Sequence, residues 1–168
     1  RITYHASHSQ SRMNNVLLLA CYEMGHQPLS LAWPQGVLRE AGIGVTAVDL
    51  SVSSLPEETA PFIGIAVPMH TALRLGVPVA RRVRRLNPGA HICFYGLYAW
   101  LNRDFLLAGL ADSVIAGEYE RPLLDLVQAV LGGGNGTAVA GVTTLSTHNL
   151  PNLERLNLPL PDRSGLPA

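Results

Sequence analysis

Three short loops carry side chains capable of binding or chemistry, and each follows an apolar run and precedes a helical pattern. They read Val67-Pro68-Met69-His70-Thr71, Tyr95-Gly96-Leu97-Tyr98 and Gly117-Glu118-Tyr119-Glu120. Three strand–loop–helix units in succession predict a parallel sheet. In an open parallel sheet a ligand binds outside the carboxyl ends of the strands, which is where these loops would lie. Their imidazole, phenol and carboxyl groups are therefore the first candidates for function.

The hydrophobic pattern predicts the elements that would position these loops. A continuous apolar run at residues 16–20 is typical of a buried parallel strand, and further strands are predicted at 45–49, 62–67, 91–94 and 113–116. Helices are predicted at residues 29–41, 71–86 and 102–108, and from Pro122 to Gly132. The helix at 71–86 has the clearest apolar stripe, and Pro78 is expected to kink it. We expect an α/β fold: a three-layer, Rossmann-like (flavodoxin-like) doubly wound parallel sheet of about five strands.

The chain divides into three regions. Residues 1–12 are polar and rich in Ser and His, which predicts a disordered leader or tag. Residues 13–131 form the predicted α/β domain, with a possible turn of helix at 56–58. Residues 132–168 begin with a glycine-rich hinge, include a possible extra strand within 138–145, and end in a proline-rich linker. We expect the linker, residues 156–168, to make few contacts with the sheet.

Composition excludes several classes of function. All 12 basic residues are Arg and the formal net charge is zero, so no basic surface indicates nucleic-acid binding. No run of 18 apolar residues predicts a membrane span, and the N-terminus lacks the order of a signal peptide. Cys21 and Cys93 each end or interrupt an apolar run and are predicted to be buried free thiols. We therefore expect a cytoplasmic protein.

The order of several segments resembles the N-terminal cobalamin-binding domain of radical SAM (S-adenosylmethionine) enzymes. The matching segments are residues 62–71, 87–91, 96–99 and 111–120, and the whole resemblance covers about residues 14–168. The stretch from Tyr22 to Leu29 is most similar to the branch named for its C-terminal tail, the CUAEP/CCAEP-tail radical SAM (seleno)proteins. Residues 158–163, Leu-Pro-Leu-Pro-Asp-Arg, resemble the connection that leads into the radical SAM barrel of that family.

This resemblance implies a cobalamin-binding module that holds the corrin over the active site of a following barrel in cis. S-adenosylmethionine and a [4Fe-4S] cluster would belong to that downstream barrel, and the substrate would be a small molecule or peptide. His70 or His26 is a possible cobalt-facing group. The implied cofactor-binding residues are Tyr22, Glu23, Gly25, His26, Ala66, Pro68, Met69, His70, Thr71, Gly96, Leu97, Tyr98, Gly117, Glu118 and Tyr119.

Each of these features also has a purely structural interpretation. His70 could cap the helix that begins near Thr71, and Glu118 and Glu120 could sit before a helix because its dipole favours carboxylates. Small residues near the strand ends, required if the nucleotide tail of cobalamin slides between sheet and helices, also serve close helix–strand packing. Those small residues are Gly64, Ala66, Gly96, Ala99 and Gly117.

The sequence departs from the pattern of cobalamin carriers at three loops. Their Ser-x-Leu after the third strand is replaced by Ala66-Val67-Pro68. Their Asp-x-His-x-x-Gly loop, which supplies an axial His, is replaced by Cys21 to Pro28, although radical SAM relatives often lack that His too. Their Gly-Gly after the fourth strand becomes Tyr95-Gly96, and the phenol of Tyr95 could fill the tail pocket. The alternative function is therefore a degenerate docking or lid domain that binds no cofactor.

Other chemistries of this architecture fit less well. A radical SAM cluster needs three closely spaced cysteines, and two that lie far apart cannot hold it. A response-regulator receiver needs a Lys after the fifth strand, and the chain has none. The loop after the first strand is not the Ser/Thr-rich phosphate loop of a flavodoxin, and no Gly-x-Gly-x-x-Gly follows a strand.

Overall fold

The computed structural model describes residues 15–58 and 60–167, so the leader predicted at 1–12 lies outside the described residues. Within this part the chain forms one mixed sheet and five helices. The strands are β1 (Asn15–Ala20), β2 (Gly44–Asp49), β3 (Phe62–Ala66), β4 (His91–Tyr95), β5 (Ser113–Ile115) and β6 (Val142–Thr143). The helices are α1 (Leu29–Glu40), α2 (His70–Leu86), α3 (Leu97–Leu101), α4 (Arg103–Leu107) and α5 (Glu120–Leu131).

The sheet has the order β2-β1-β3-β4-β5-β6. The first five strands are parallel, and β6 pairs antiparallel with β5. The order 2-1-3-4-5 is that of flavodoxin-like folds, in which the sheet is wound in both directions from its first strand. The predicted α/β fold with a doubly wound parallel sheet is thus confirmed, and the extra strand is present but only two residues long.

Successive side chains of each strand point to opposite sides of the sheet, and helices cover both sides. Val16, Leu18 and Ala20 of β1 point to one face, where α1 and α5 pack, and we call it the α1/α5 face. Leu17 and Leu19 point to the other face, where α2, α3 and α4 pack, and we call it the α2 face. Strands buried on both faces are almost entirely apolar, which explains the continuous runs in the sequence.

One local prediction is wrong and another is incomplete. Residues 56–58 form no helix. The helix predicted at 102–108 is present as α4, but the short helix α3, which precedes it and meets it at Asn102, was not predicted. The side-chain amide of Asn102 donates a hydrogen bond to the Tyr98 carbonyl at 2.9 Å, which satisfies one carbonyl at that junction. Helix α2 passes through Pro78, with the proline ring on its exposed side. No described helix is both long and apolar enough to span a membrane.

The C-terminal segment is not the weakly attached linker that the sequence suggested. Residues 160–167 run along α1, where the Asp162 N–H donates to the Ala32 carbonyl at 2.9 Å. The buried Gln35 amide donates to the carbonyls of Asp162 and Ser164, both at 3.0 Å. Leu166 is 8% exposed and belongs to the core of the α1/α5 face. Glutamine and leucine at these positions therefore attach the segment to the domain.

Candidate functional site

The predicted loops lie together at the carboxyl edge of the sheet, as expected from parallel strands. The loops at residues 22–28, 68–71, 96–98 and 117–120 follow β1, β3, β4 and β5, which are all parallel. Backbone hydrogen bonds join the segments after β3, β4 and β5: the Val67 N–H donates to the Tyr95 carbonyl at 2.9 Å, and the Gly96 N–H to the Ile115 carbonyl at 3.1 Å. The Tyr98 N–H donates to the Val67 carbonyl at 3.2 Å. Three of the four loops are thus directly connected, and the loop after β1 lies at the same edge because β1 is parallel to β3.

The predicted residues divide into exposed and covered groups. The predicted residues that present an exposed surface at this edge are Tyr22, Gly25, His26, His70, Thr71, Leu97, Gly117 and Glu118. Those that are half-buried are Glu23, Pro68, Met69, Tyr98 and Tyr119, and those that are buried are Ala66 and Gly96. The exposed group offers the most surface to a ligand, and the two buried residues offer none without rearrangement of the loops.

Glu23, in the loop after β1, stabilises the start of α1. Its carboxylate accepts the Leu29 N–H at 3.1 Å and the Ser30 hydroxyl at 2.5 Å. The N-cap position itself is held by Pro28, which makes no side-chain cap hydrogen bond. A carboxylate that accepts hydrogen bonds at a helix N-terminus also interacts favourably with the helix dipole. Both oxygens of Glu23 are therefore engaged within the protein, which leaves the carboxylate little freedom to bind a cofactor.

His70, in the loop after β3, is exposed at the carboxyl edge. It is the first residue of α2, whose N-cap is Met69 with no side-chain cap hydrogen bond. The interpretation of His70 as a helix cap is therefore wrong. Its imidazole meets the ring of Tyr98 edge-on, with the ring centroids 6.1 Å apart and the planes at 62°. This contact orients an imidazole at the centre of the candidate surface, between the loops of β3 and β4.

Gly96 is required by the backbone. Its φ is +104°, a conformation that L side chains rarely adopt, and a Cβ there would lie 3.2 Å from the Val67 carbonyl oxygen. The glycine therefore lets the loop after β4 approach the loop after β3. A substitution at this position would disturb the backbone first, whether or not a ligand binds nearby.

Tyr95, which ends β4, fills the space between the sheet and α1. It is fully buried on the α1/α5 face, and its hydroxyl donates to the Ser30 carbonyl at 2.8 Å. That carbonyl needs an external donor because residue 34, four positions on, is a proline without an N–H. The ring of Tyr119 covers Tyr95 at 4.9 Å between centroids. Burial raises the pKa of Tyr95 well above its ordinary value, so the hydroxyl keeps the proton that it donates.

The small residues expected to admit a nucleotide tail are in contact with protein atoms instead. A Cβ on Gly64 would lie 2.8 Å from Leu18 Cδ2 and 3.1 Å from Tyr95 Cε1. A Cβ on Gly117 would collide with the backbone of Asn152, to which Gly117 is bridged. These glycines therefore serve close packing. The space behind the exposed edge is filled by protein atoms, so it does not fit the nucleotide tail of cobalamin as it stands.

Glu120 is the least satisfied group near the site. It begins α5 and is 5% exposed, and its Oε2 has no hydrogen-bond partner among the described residues. Burial raises the pKa of this carboxyl, with a further contribution from the charge of Glu118. Glu120 also lines a cavity of about 570 Å³ between the two helices of the α1/α5 face and residues 156–159. The helix dipole alone does not explain a carboxyl buried this deeply.

The two cysteines are poor candidates for metal ligands. Both are buried and free. Burial raises the pKa of the Cys21 thiol to about 11 and that of the Cys93 thiol to about 12, so both stay protonated near neutral pH. Metals bind the thiolate form. The part of the chain that the structure describes contains no cluster of three His, Cys, Asp or Glu side chains suited to a metal ion.

Two features were not predicted from the sequence. One is the hydrogen bond from the Tyr95 hydroxyl to the Ser30 carbonyl, which Pro34 leaves without its helical donor. The other is the attachment of the C-terminal segment to α1. A signal for the first was present, because Pro34 lies inside a predicted helix and must leave one carbonyl without its helical donor. The segment gave a weaker signal, since a Pro- and Leu-rich stretch is equally compatible with a free linker.

No protein-family model matches this chain, and no curated protein matches it. Solved structures are similar to it in fold. One is the radical S-adenosylmethionine methyltransferase TsrM from Kitasatospora setae with tryptophan substrate and a SAM analogue bound, with a TM-score of 0.64 at 16% identity. The alignment covers 82% of this chain and 30% of that protein.

A second structure of TsrM, with cobalamin and a [4Fe-4S] cluster bound, has a TM-score of 0.63 at 16% identity. It covers 79% of this chain and 27% of that protein. The chain therefore spans less than a third of the length of these methyltransferases. At this identity the similarity establishes a shared fold: the chain adopts the Rossmann-like α/β fold of one part of a cobalamin-containing radical S-adenosylmethionine methyltransferase.

Proposed function

We propose that this chain is a cobalamin-binding module of a radical SAM enzyme, which positions the corrin over the active site of a following barrel. The observation that carries the proposal is the fold shared with TsrM, one structure of which contains cobalamin. The position of the loops supports it, because ligands of open parallel sheets bind at the carboxyl edge and four loops meet there. The resemblance of the loop sequences to this domain type is an independent line of support.

The exposed residues suggest how the edge would hold a corrin. Met24 is 65% exposed, Leu97 60% and Tyr22 37%, and these provide apolar surface for the ring. Glu118 offers a carboxylate that can accept hydrogen bonds from the amide side chains around the corrin. His70 or His26 would face the cobalt. When bound, the cofactor would supply the cobalt chemistry, and the cluster and S-adenosylmethionine would belong to the barrel.

The barrel in cis is the proposed partner. Leu97, Leu101 and Phe105 follow one another at four-residue intervals on α3 and α4, and are 60%, 60% and 53% exposed. An apolar row of this kind beside the loop after β4 supports docking of another domain. The assignment to the CUAEP/CCAEP-tail branch, the cytoplasmic location, and a small molecule or peptide as substrate are parts of the same proposal.

Titration of the 168-residue chain with hydroxocobalamin and with diaquocobinamide, followed by visible absorption and calorimetry, tests the proposal. We expect saturable binding of at least one corrinoid. The matched variants are Leu97→Glu at the carboxyl edge and Leu86→Glu at the opposite end of α2, since both leucines are exposed. Binding should weaken by about tenfold or more in Leu97→Glu and stay unchanged in Leu86→Glu. Equal effects of the two substitutions would place the corrin elsewhere.

The cobalt-facing group has its own spectroscopic test. His70→Ala and His26→Ala are compared by the absorption spectrum of the bound corrinoid. A shift in only one variant identifies the imidazole that reaches the cobalt. Unchanged spectra in both variants would show that neither does, and the bound corrin would then carry no protein axial ligand.

The second candidate is a docking or lid domain that binds no cofactor. Tyr95 favours it, because its ring occupies the space that a nucleotide tail would need. Absence of corrinoid binding, both by this chain and by the complete protein that contains it, would establish this alternative and exclude the first.

A further inference from the structure

We propose that Tyr95 excludes the nucleotide tail of cobalamin, so that the carboxyl edge prefers a corrinoid without a nucleotide loop, such as cobinamide. The inference rests on the proposed function and concerns which member of the ligand class the site takes. It follows from the space behind the edge, from the hydrogen bond that fixes Tyr95, and from the shape of the ligand.

Side chains from three neighbouring strands fill the space between the sheet and α1. Leu18 of β1 pairs with Gly64 of β3 in register, and Tyr95 of β4 pairs with Ala66, two residues nearer the carboxyl edge. The Tyr95 ring nevertheless reaches Gly64, because a Cβ there would lie 2.8 Å from Leu18 Cδ2 and 3.1 Å from Tyr95 Cε1. Phe62, which is fully buried, would lie 3.7 Å from the same Cβ. Tyr119 covers the outer side of Tyr95. A bicyclic base cannot enter unless the phenol leaves.

Removal of the phenol from this position is opposed by two contacts. Ser30 O lacks a helical donor because of Pro34, so displacement of the Tyr95 hydroxyl leaves a buried carbonyl without a hydrogen bond. The tilted ring contact with Tyr119, at 4.9 Å between centroids, is lost at the same time. Glu23 further fixes α1, because its carboxylate binds the hydroxyl of the same Ser30. The tyrosine is thus held by the sheet, by α1 and by α5 together.

The nucleotide of cobalamin has two possible positions, and both are unfavourable here. Coordinated to cobalt, the base lies beneath the corrin and separates the ring from the strand-end loops. Released from cobalt, it loses its coordination bond, and the space between the sheet and α1 that would receive it is occupied by Tyr95. Cobinamide has the same ring and amide side chains without the nucleotide, so it can contact the loops directly. The difference in affinity between the two ligands therefore measures the effect of the filled space between the sheet and α1.

The test compares dissociation constants for aquocobalamin and diaquocobinamide with the wild-type 168-residue chain, Tyr95→Gly and Tyr95→Phe. Tyr95→Gly restores the Gly-Gly pair of cobalamin carriers, and Tyr95→Phe keeps the ring. We expect wild type and Tyr95→Phe to bind cobinamide at least about tenfold more tightly than cobalamin. Tyr95→Gly should bind cobalamin more tightly than wild type does, with a base-off spectrum, and bind cobinamide as before.

The outcomes separate this inference from the proposed function. Cobalamin binding as tight as or tighter than cobinamide binding by the wild type would overturn the inference and leave the corrin-binding function in place. Binding of neither ligand overturns both. If circular dichroism shows that Tyr95→Gly does not fold, the wild-type preference still decides the question. In that case the spectrum of wild-type-bound cobalamin adds a second readout, because a base-off form would show that the tail has entered the protein.

Discussion

The two faces of the sheet are built from the same strands but differ in the side chains that they bury. On the α2 face, side chains such as Ile65, Phe94 and Val67 pack directly against Gly76 of α2. A buried polar side chain there, Asn87 at the end of α2, is satisfied locally, because its Oδ1 accepts the Ala60 N–H at 3.2 Å. On the α1/α5 face, the core also contains the Tyr95 hydroxyl and the polar side chains of Ser30, Gln35 and Glu120. Buried polar groups are costly unless they are hydrogen-bonded.

This difference indicates that the α1/α5 face has a role besides packing. Among the described residues, two carbonyl or carboxyl oxygens buried on that face have no hydrogen-bond partner, Gln35 Oε1 and Glu120 Oε2. The corresponding atom on the α2 face is Arg103 Nε of α4, whose guanidinium lies 4.6 Å from the centroid of the Trp100 ring. The α1/α5 face also lies directly behind the loops after β1 and β5, so its polar groups are close to the proposed corrin site.

The largest effect on stability is expected on the α2 face. Phe94→Ala removes a fully buried ring that no local movement can replace, and we expect a loss of about 3–5 kcal/mol in the free energy of unfolding. Urea denaturation followed by circular dichroism measures it. A loss below about 1 kcal/mol would show that this face is loosely packed, and the contrast between the faces would then be wrong.

An intermediate effect is expected on the α1/α5 face, and it should depend on Pro34. Tyr95→Phe leaves the Ser30 carbonyl without its donor, which should cost about 1–3 kcal/mol. Pro34→Ala supplies an N–H four residues beyond Ser30, so Tyr95→Phe should cost about 1 kcal/mol less in that background. A double-mutant cycle in urea measures the coupling. Additive effects of the two substitutions would contradict the role assigned to Pro34.

A smaller, pH-dependent effect is expected where the C-terminal segment meets α1. Hydrogen bonds from Ser164, then the charge and hydrogen bond of Arg39, lower the pKa of Asp162 from 3.8 to about 2. A carboxylate with a lowered pKa stabilises the folded form above its unfolded pKa and loses that effect as the pH falls through its folded pKa. Attachment of residues 160–167 should therefore weaken between about pH 4 and pH 2.

Native-state hydrogen exchange at the Asp162 amide, which donates to Ala32, measures this attachment. The amide should lose protection as the pH falls through this window, after correction for intrinsic exchange. In Asp162→Asn the corrected protection should be lower throughout and independent of pH over the same range. Protection that changes equally in both proteins would assign the transition to another group.

The smallest effect is expected at Pro78, the proline of the α2 face. Its ring lies on the exposed side of α2, so the carbonyl that it leaves without a helical donor can bind water. Pro78→Ala adds a helical hydrogen bond but also increases the entropy of the unfolded chain, so the two effects oppose each other. We expect a change within about 0.5 kcal/mol in urea denaturation. A change as large as that of Tyr95→Phe would contradict the view that Pro34 leaves a buried carbonyl without its donor whereas Pro78 leaves an exposed one.

The elements of the α2 face were predictable from sequence, because apolar residues recur at helical spacing within 72–86 and the neighbouring strands are mostly apolar. The side of α2 that is buried was predicted only in part. Leu75 and Leu86 of the apolar stripe are 46% and 44% exposed, whereas Leu73, Gly76 and Ala80 are buried. The α1/α5 face was less predictable, because its packing depends on contacts between distant residues. Tyr95 was recognised as a possible obstacle, but its hydrogen bond to Ser30 depends on the position of α1, which no local pattern encodes.

The candidate site was also predictable only in part. The position of the four loops at one edge of the sheet followed from the parallel direction of the strands. Glu23 was assigned to a cofactor, whereas the structure engages both of its oxygens at the start of α1. Local spacing could not distinguish these roles, because a carboxylate six residues before a helix is reached only through the fold of the intervening loop.

The antiparallel β6 has a consequence for self-association. An exposed parallel edge strand offers unpaired backbone groups that can recruit a strand of another molecule. Here the two residues of β6 cover the short β5, and the chain then turns away where the Thr144 N–H donates to the Thr147 carbonyl at 2.9 Å. Such a short terminal strand offers little edge for intermolecular pairing. Aggregation through strand addition should therefore begin at β2, the opposite border of the sheet, and substitutions in β2 are the ones to examine if solubility is limiting.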